Sequence, residues 1–252
     1  MPQAPKPRAS RARSLKVPSA SRDAINQSYP RGARRKRETR ARLLDAALKL
    51  VAAKGLSSVT INEITEAADV GFGSFYNHFD SKEGIFTALI EWLFEEFADT
   101  LDRLAAGLSD PAEVIAVSVR HTLLRAYREP VWGQLLIREG LSPRLLNRGL
   151  GLRLLRDSEK GISERRFVIA DRLMSVISVI GTVLAGIAAE LQLAISSKRT
   201  VRGARKVLRS KEEKFAQRTA AIVLQAFGLT RVEAERIARR PLPTAPDAPT
   251  SQ

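Results

Sequence analysis

The chain has 252 residues, a formal net charge of +15 and 44% hydrophobic residues, so it is large and apolar enough to bury one large core or two modest ones. The absence of cysteine excludes disulfides, thiolate metal sites and cysteine nucleophiles, and only two histidines exclude a histidine-rich metal site. The positive charge favours a polyanionic partner, either nucleic acid or an anionic membrane.

The excess positive charge is concentrated at the N-terminus. Residues 1–42 contain 13 Lys and Arg against Asp23 and Glu38, so about +11 of the net charge lies there. Residues 1–33 are rich in Pro, Ala, Ser and Arg without periodicity, which predicts a disordered basic extension. This extension has no continuous apolar stretch, so we do not expect it to be a secretory signal.

A cluster of four basic residues, Arg34 to Arg37, directly precedes the first predicted helix. One interpretation is a solvated charge run that aids solubility. The other is an arm, including Arg37, that lies along the DNA backbone and adds salt-sensitive affinity. The position of the cluster beside the motif described next favours the arm.

The first predicted helix runs from Glu38 to Lys54 and is ended by Gly55 in a left-handed conformation. A second helix begins at Thr60, which forms a reciprocal capping box with Glu63. The helical period then breaks, and a short helical segment follows from Phe72 to Phe79.

The short segment displays an unusual set of polar side chains. Phe75 and Phe79 are four residues apart, which predicts that both point into the core. Two short helices joined by a tight turn, the second displaying hydrogen-bonding side chains, are typical of a helix-turn-helix that reads a major groove. An ordinary helical hairpin in an all-α core is the alternative. The side chains left nearer to solvent are Ser74, Tyr76, Asn77 and His78.

Helical patterns continue through the rest of the chain, which predicts an all-α fold. Capping boxes at Asp80–Glu83 and Asp110–Glu113 predict helices that run to about Leu108 and Arg128. The other predicted elements are helices over Pro130–Arg138, Pro143–Asp157 and Ala216–Phe227, a last helix from Thr230 that Pro241 terminates, and a basic loop and helix start over Ser196–Lys214.

The most apolar segment contains seventeen uncharged residues, Leu173 to Ala189. Seventeen residues are at the lower edge of what spans a bilayer. A helix that is apolar all round is also what a core helix packing against a partner subunit requires. Because the segment contains Ser, Thr and Gly and is closed by Glu190, we favour the core helix.

Residues Thr39–Leu89 resemble the DNA-binding domain of the TetR family. The residues that carry the resemblance are LLDAALKLVAAKG, then T-x-x-E-I-x-x-A-A-D-V, then GSFYNHFDSKE. The resemblance implies a DNA-binding domain over 34–84 with its helix-turn-helix at 60–79, and a helical ligand-binding and dimerisation domain over 85–240. Residues 241–252 are then a Pro-rich tail, predicted to be disordered.

The resemblance also implies roles for individual residues in DNA binding. Thr60, His78 and Lys82 would contact phosphates, and Gly73 would let the backbone approach the duplex. The remaining contacts would come from Ser74 to a base or phosphate, Tyr76 to a sugar, a thymine methyl or a phosphate, and Asn77 to adenine or the DNA backbone. Asn77 departs from the tyrosine of many relatives, and Phe72 departs from the usual small or basic residue. Phe72 would contact a thymine methyl or pack on the first helix.

As the resemblance implies, the expected protein is a cytoplasmic homodimer that binds a near-palindromic operator and is released by a small-molecule inducer. The dimer face is expected around Val176–Ile187 and Ala220–Phe227. Neither a cofactor nor a metal is expected. Candidates for the lining of the inducer pocket are His121, Tyr127, Trp132 and Gln134, each of which also suits an ordinary core or amphipathic position.

Three other functions were weighed. An enzyme is disfavoured because we find no nucleophile–base pair and no phosphate-binding glycine loop. A non-specific DNA-compacting protein would use the basic segment but would not need the large apolar C-terminal part. A membrane-tethered regulator depends entirely on Leu173–Ala189.

Overall fold

The computed structural model describes residues 31–197 and 205–243, and all regular secondary structure within these ranges is helical. The all-α prediction is therefore confirmed for the described residues. Most of the predicted disordered extension, up to residue 30, and the predicted tail from residue 244 lie outside them. The helices are α1 (Arg31–Lys54), α2 (Ile61–Ala67), α3 (Phe72–Tyr76), α4 (Lys82–Ala105), α5 (Pro111–Arg128), α6 (Pro130–Glu139), α7 (Pro143–Leu146), α8 (Gly149–Ser163), α9 (Arg172–Ser197), α10 (Arg205–Ala226) and α11 (Arg231–Ala238).

The chain divides into two compact units, and the division falls after Ile85, within α4. The first unit contains α1 to α3, with α2 packed against both α1 and α3. Its core is formed by apolar side chains that recur at helical spacing on α1 and α2 and by the two phenylalanines after the turn. These core residues include Leu43, Ala47, Val51, Ile64, Phe75 and Phe79.

Helix α1 begins at Arg31, seven residues earlier than predicted, so the basic cluster Arg34–Arg37 lies in a helix rather than ahead of one. Arg, Lys and Ala favour helix, and Arg34 Nε lies 3.3 Å from Glu38 Oε1 one turn later. The sequence showed no capping residue before the cluster, which is why the start was misplaced. The predicted end is confirmed, since Gly55 has a φ of 81° after Lys54.

Helix α5 is the centre of the second unit, where it packs against α6, α8, α9, α10 and α11. Asp110 caps its N-terminus, because Asp110 Oδ1 accepts a hydrogen bond from the Ala112 N–H at 2.9 Å. The buried side chains of this unit include Phe94, Ile115, Leu224, Phe227 and Ile237. The predicted helix over 111–128 is confirmed, and it is more completely buried than the apolar helix α9.

Three other predicted boundaries are corrected by the structure. The cap of α4 is Ser81 rather than Asp80, since Ser81 Oγ accepts from the Gly84 N–H at 3.0 Å. The single helix predicted over 143–157 is two helices, α7 and α8, separated where Gly149 adopts a φ of 51°. Helix α10 begins at Arg205, within the predicted basic loop and helix start, and is therefore continuous with the apolar helix predicted from Ala216. Residues 198–204 of that predicted loop lie outside the described residues.

Candidate nucleic-acid interface and ligand cavity

The turn between α2 and α3 is held by an arginine from α1. The chain reverses at Asp69, which has a φ of 51°. The Arg42 guanidinium donates to the carbonyl oxygens of Ala68 and Asp69, and it lies 3.4 Å from Asp69 Oδ2. These contacts fix the direction in which α3 leaves the turn. Sequence reasoning counted Arg42 only as part of the N-terminal charge and missed this role.

Helix α3 presents its polar side chains away from the core. Phe75 is completely buried, whereas Tyr76 and Asn77 are exposed and Ser74 is half-buried. Asn77 forms the C-cap, and its backbone N–H donates to the Phe75 carbonyl. These three predicted contact residues are therefore accessible to solvent, and we call them the α3 face. Their contact with DNA stays a prediction.

Two glycines flank the start of this face. A Cβ built at Gly71 or Gly73 would meet no atom of the described chain within 4 Å, and neither residue has a positive φ. The fold itself therefore does not require glycine at either position. Glycine does leave the backbone bare, so that another molecule can approach it closely.

Thr60 is confirmed as the cap of α2. Its hydroxyl donates to Glu63 Oε2 at 2.7 Å, its backbone N–H donates to the same oxygen at 2.9 Å, and its Oγ1 accepts from the Glu63 N–H at 3.3 Å. Lys54 Nζ donates to the other carboxylate oxygen. The hydrogen bond from Lys54, followed by those from Thr60, lowers the pKa of Glu63 to about 2.

His78 lies directly after α3 and next to basic residues of α1. Its carbonyl accepts from Arg40 Nη1 at 3.2 Å, and the Arg40 guanidinium lies 4.3 Å from the centre of the Phe79 ring. Burial, followed by the charges of Lys36 and Arg40, lowers the pKa of His78. His78 Nδ1 is buried and has no hydrogen-bond partner among the described residues. A neutral imidazole still offers one N–H donor.

The other two predicted phosphate contacts are Lys82 and Arg37. Lys82 is the first residue of α4, and its Nζ donates to the Ser57 carbonyl at 3.1 Å, so it holds the loop that leads into α2. Arg37 is exposed on α1. Both residues lie in the first unit, as do Thr60 and the α3 face.

The second unit contains a cavity of about 100 Å³ bounded by α4, α5, α6, α8 and α9. Most of the wall is aliphatic, and its polar groups come from α4, α5 and α8. Burial raises the pKa of the Asp157 carboxyl there, against the lowering effect of a hydrogen bond from Arg156. The apolar lining includes Leu101, Ile115, Val119, Leu136, Leu154, Val179 and Val183, and the polar lining is Asp102, Ser118, Thr122, Arg153 and Asp157.

Arg153 connects α8 to α4 at the wall of this cavity. Its Nε lies 2.6 Å from Asp102 Oδ2, its Nη1 lies 2.9 Å from Glu95 Oε1, and its Nη2 donates to Asp99. One guanidinium thus bridges three carboxylates on successive turns of α4. This arrangement was not predicted, because the partners are more than fifty residues apart in sequence.

None of the four predicted pocket residues lines this cavity. Trp132 is buried against Phe94 and Phe97, with ring centres 5.6 and 5.0 Å away. Gln134 is exposed. His121 and Tyr127 lie on α5. Burial lowers the pKa of His121. Burial, followed by a hydrogen bond to Glu212, raises the pKa of Tyr127 to about 12. Their role in ligand binding stays a prediction.

Helices α9 and α10 expose apolar side chains. The stretch Arg172–Gln192 has a mean hydropathy of 1.9 and is long and apolar enough to cross a membrane, yet only 28% of its most apolar window is buried within the chain. Exposed residues on these helices are Leu173, Met174, Ile177 and Ile222. Part of this surface coincides with the predicted dimer face.

Two family models match the chain. Residues 43–89 match the model described as bacterial regulatory proteins of the tetR family, and residues 110–240 match the model described as a tetracyclin repressor-like C-terminal domain. The first match confirms the resemblance that the sequence motifs indicated. The second covers about half of the chain and includes most of the residues around the cavity.

Comparison with individual proteins gives the same family. The transcriptional repressor KstR2 of Rhodococcus jostii is 31% identical over 101 residues, which is 36% of this chain and half of the length of KstR2. The crystal structure of RolR in complex with resorcinol is 35% identical and has a TM-score of 0.66, covering 85% of this chain and 100% of RolR. RolR without ligand is also 35% identical and has a TM-score of 0.64, covering 82% of this chain and 100% of RolR.

Proposed function

The chain belongs to the TetR family of bacterial regulatory proteins, and we propose that it is a sequence-specific repressor that binds a palindromic operator as a homodimer. The observation that carries the proposal is the α3 face, where Ser74, Tyr76 and Asn77 project from a short helix anchored by buried Phe75. Their hydroxyl and amide groups suit the donors and acceptors of base edges in the major groove.

Phosphate contacts would surround this face. Thr60 and Lys82 lie at the starts of α2 and α4, and His78 follows α3 with an imidazole that burial favours in its neutral form. Arg37 on the helical basic cluster would add a further contact to the DNA backbone. Gly73 would allow the start of α3 to approach the duplex without a Cβ in the way.

A second copy of the chain would cover the exposed apolar side chains of α9 and α10. Contiguous apolar surface on a soluble protein marks an interaction site, and a two-fold dimer would place two α3 helices on one palindromic operator. A membrane-tethered regulator would instead bury Arg172–Gln192 in lipid. We propose the cytoplasmic dimer, and recovery of the protein in the soluble fraction after cell lysis without detergent tests that choice.

We propose a small hydroxylated aromatic ring as the inducer. RolR is described in complex with resorcinol, a benzene ring with two hydroxyl groups. The cavity of about 100 Å³ in this chain has a mostly aliphatic wall. It is smaller than the apolar cavity of about 150 Å³ that binds benzene, so a dihydroxybenzene would fit only after the lining side chains move apart. A hydroxyl group would donate to the Asp157 carboxyl, whose burial is otherwise costly.

Calorimetry with resorcinol as the probe tests the inducer. The wild-type chain is expected to bind, and Asp157→Asn is expected to bind about tenfold more weakly because a charged acceptor is lost. Glu159→Gln is the matched control, since Glu159 lies on the same helix and pairs with Arg172 outside the cavity. Equal affinity of the wild type and both variants for resorcinol would show that Asp157 does not contact the ligand.

Selection of bound duplexes from a random DNA library tests the operator. At about physiological salt, non-specific phosphate binding is suppressed, so enrichment reports base reading. The proposal expects a palindromic motif with half-sites about 10 base pairs apart, centre to centre. Enrichment without a motif would favour the alternative, a non-specific basic DNA-binding protein.

A further inference from the structure

The exposed surface of α3 also carries two aromatic rings. Phe72, the first residue of α3, is 50% exposed, and Tyr76, the last residue, is also 50% exposed. The two ring centres are 5.6 Å apart and the ring planes meet at 73°, an edge-to-face arrangement. Tyr76 contacts buried Phe75 in the same way, with ring centres 5.4 Å apart.

Phe72 has a glycine on each side. It lies between Gly71 and Gly73, which have no side chains and whose surroundings are open to 4 Å. The buried core of this unit is completed by other residues, among them Phe75 and Phe79. Half of a large apolar ring is therefore held in water at the start of the helix that bears the proposed base contacts, and α3 orients it through Tyr76.

We infer that Phe72 is a specificity-determining residue that reads the C5-methyl group of a thymine in the major groove. A phenyl ring has no hydrogen-bond donor or acceptor with which to recognise a base edge. Thymine is the base that presents an apolar group in the major groove, and phenylalanine is among the side chains that contact it. The bare glycines on either side allow the ring to reach the base, and Tyr76 fixes its orientation.

This assignment rests on the proposed function, because it requires an operator. It adds a chemical requirement that operator binding by itself does not impose. One thymine in each half-site must be recognised through its methyl group, and that recognition must disappear when the ring of Phe72 is removed. Asn77 and Ser74 can read other bases by hydrogen bonding whether or not Phe72 does so.

The test replaces each thymine of the selected operator in turn with deoxyuracil, which removes the methyl group and leaves base pairing unchanged. Fluorescence anisotropy then compares the full-length wild-type chain, Phe72→Ala and Val232→Ala. Val232 is an apolar residue on α11 that is more exposed than Phe72, and it serves as the control. Circular dichroism checks that both variants remain helical.

We expect one thymine per half-site at which deoxyuracil weakens the wild type and Val232→Ala by at least about fivefold, as expected for loss of one specific base contact. Phe72→Ala should bind the operator with thymine and the operator with deoxyuracil at that position equally well. A motif without a deoxyuracil-sensitive thymine, or the same sensitivity in Phe72→Ala, would overturn this assignment and leave the proposed function intact. Failure to select any motif would overturn both.

Discussion

At the scale of single residues, the structure separates the exposed polar groups of α3, which we propose read bases, from basic groups that hold the loops next to α2 and α3. Asn77 lies exposed at the end of α3, where its amide faces away from the core. Lys82 Nζ donates to the Ser57 carbonyl, and Arg42 holds the turn before α3. Substitutions of the two kinds of residue should therefore change DNA binding in different ways.

Asn77→Ala is expected to relax base preference, lowering discrimination at one base pair by about 5- to 100-fold because a bidentate amide contact is lost. Lys82→Ala is expected to weaken binding to all duplexes alike and to reduce the slope of affinity against salt by about one unit. Binding to the selected operator and its single-base variants measures both effects. Equal losses on every duplex for both variants would contradict the role of Asn77.

Glu63 gives a prediction about pH. Its pKa is lowered from 4.5 to about 2 by Lys54 and Thr60, so the folded state favours the ionised carboxylate. The resulting stabilisation is fully present above the unfolded pKa and is lost as pH falls through the folded value. When the pH is lowered from about 5 to about 2, the free energy of unfolding of Glu63→Gln should therefore fall less than that of the wild type, because the variant has no carboxylate to protonate at this position.

Urea unfolding at a series of pH values measures this difference. Glu66→Gln is the matched control, because Glu66 is an exposed carboxylate on the same short helix. It should keep the wild-type dependence on pH. A Glu63→Gln variant with the wild-type dependence would show that the capping box does not stabilise the folded state.

At the scale of helices, polar contacts join elements that are distant in sequence. Arg153 ties α8 to three turns of α4, and Arg166 ties the segment after α8 to Asp110 and Glu233 at the starts of α5 and α11. Each arginine is partly buried and bonded to more than one carboxylate. Removing the arginine from such a cluster should cost more stability than breaking an isolated surface pair, because it leaves several like charges close together.

Arg153→Met is expected to lower the free energy of unfolding by about 1–2 kcal/mol, a value discounted because the three carboxylates are partly exposed to water. Arg231→Met is the control, since Arg231 is highly exposed in its pair with Glu235 and should cost less than about 0.5 kcal/mol. Urea unfolding of the wild type and both variants measures these free-energy differences. Equal stability of the two would mean that the cluster contributes nothing.

The helices also show where sequence reasoning succeeds. The caps at Thr60, Asp110 and Thr230 were predicted from their own side chains, and all three accept a backbone hydrogen bond. Thr60 forms the predicted capping box with Glu63, whereas Asp110 accepts from the Ala112 N–H rather than from the Glu113 N–H that a capping box requires. The polar face of α3 followed from the position of Phe75 in the helical period. Local chemistry was sufficient in each case, because the interacting groups are separated by only a few residues.

Sequence reasoning failed where the determining contact is distant. The break before α8 depends on Gly149, whose left-handed backbone lies against Glu95 on another helix. The cavity was missed because its lining comes from five helices whose pairing no local pattern specifies. Trp132 was selected as a pocket residue for its chemistry, and the fold instead packs it into an aromatic cluster with Phe94 and Phe97.

At the scale of the whole molecule, binding to a palindromic operator would require two chains to act together. The apolar side chains exposed on α9 and α10 give each chain a surface that another copy would bury. Dimerisation would also determine the spacing of the two α3 helices along the DNA. The second unit would thereby contribute to operator recognition without contacting a base.

Ile222→Glu is expected to make the chain monomeric at micromolar concentration, because it would bury a charge at the proposed interface. Leu152→Glu is the control, since Leu152 is equally exposed but lies on α8. Sedimentation velocity should give a dimer for the wild type and for the control. A dimeric Ile222→Glu variant would place the interface elsewhere.

The most direct test of the central claim is binding to a selected operator whose half-sites have been separated by 5 added base pairs, about half a helical turn. A homodimer that places α3 of each chain in successive major grooves should lose most of its affinity, because the second half-site then faces the opposite side of the duplex. Adding the same base pairs outside the two half-sites should have no effect. Unchanged affinity for the separated half-sites would contradict the dimeric operator reader.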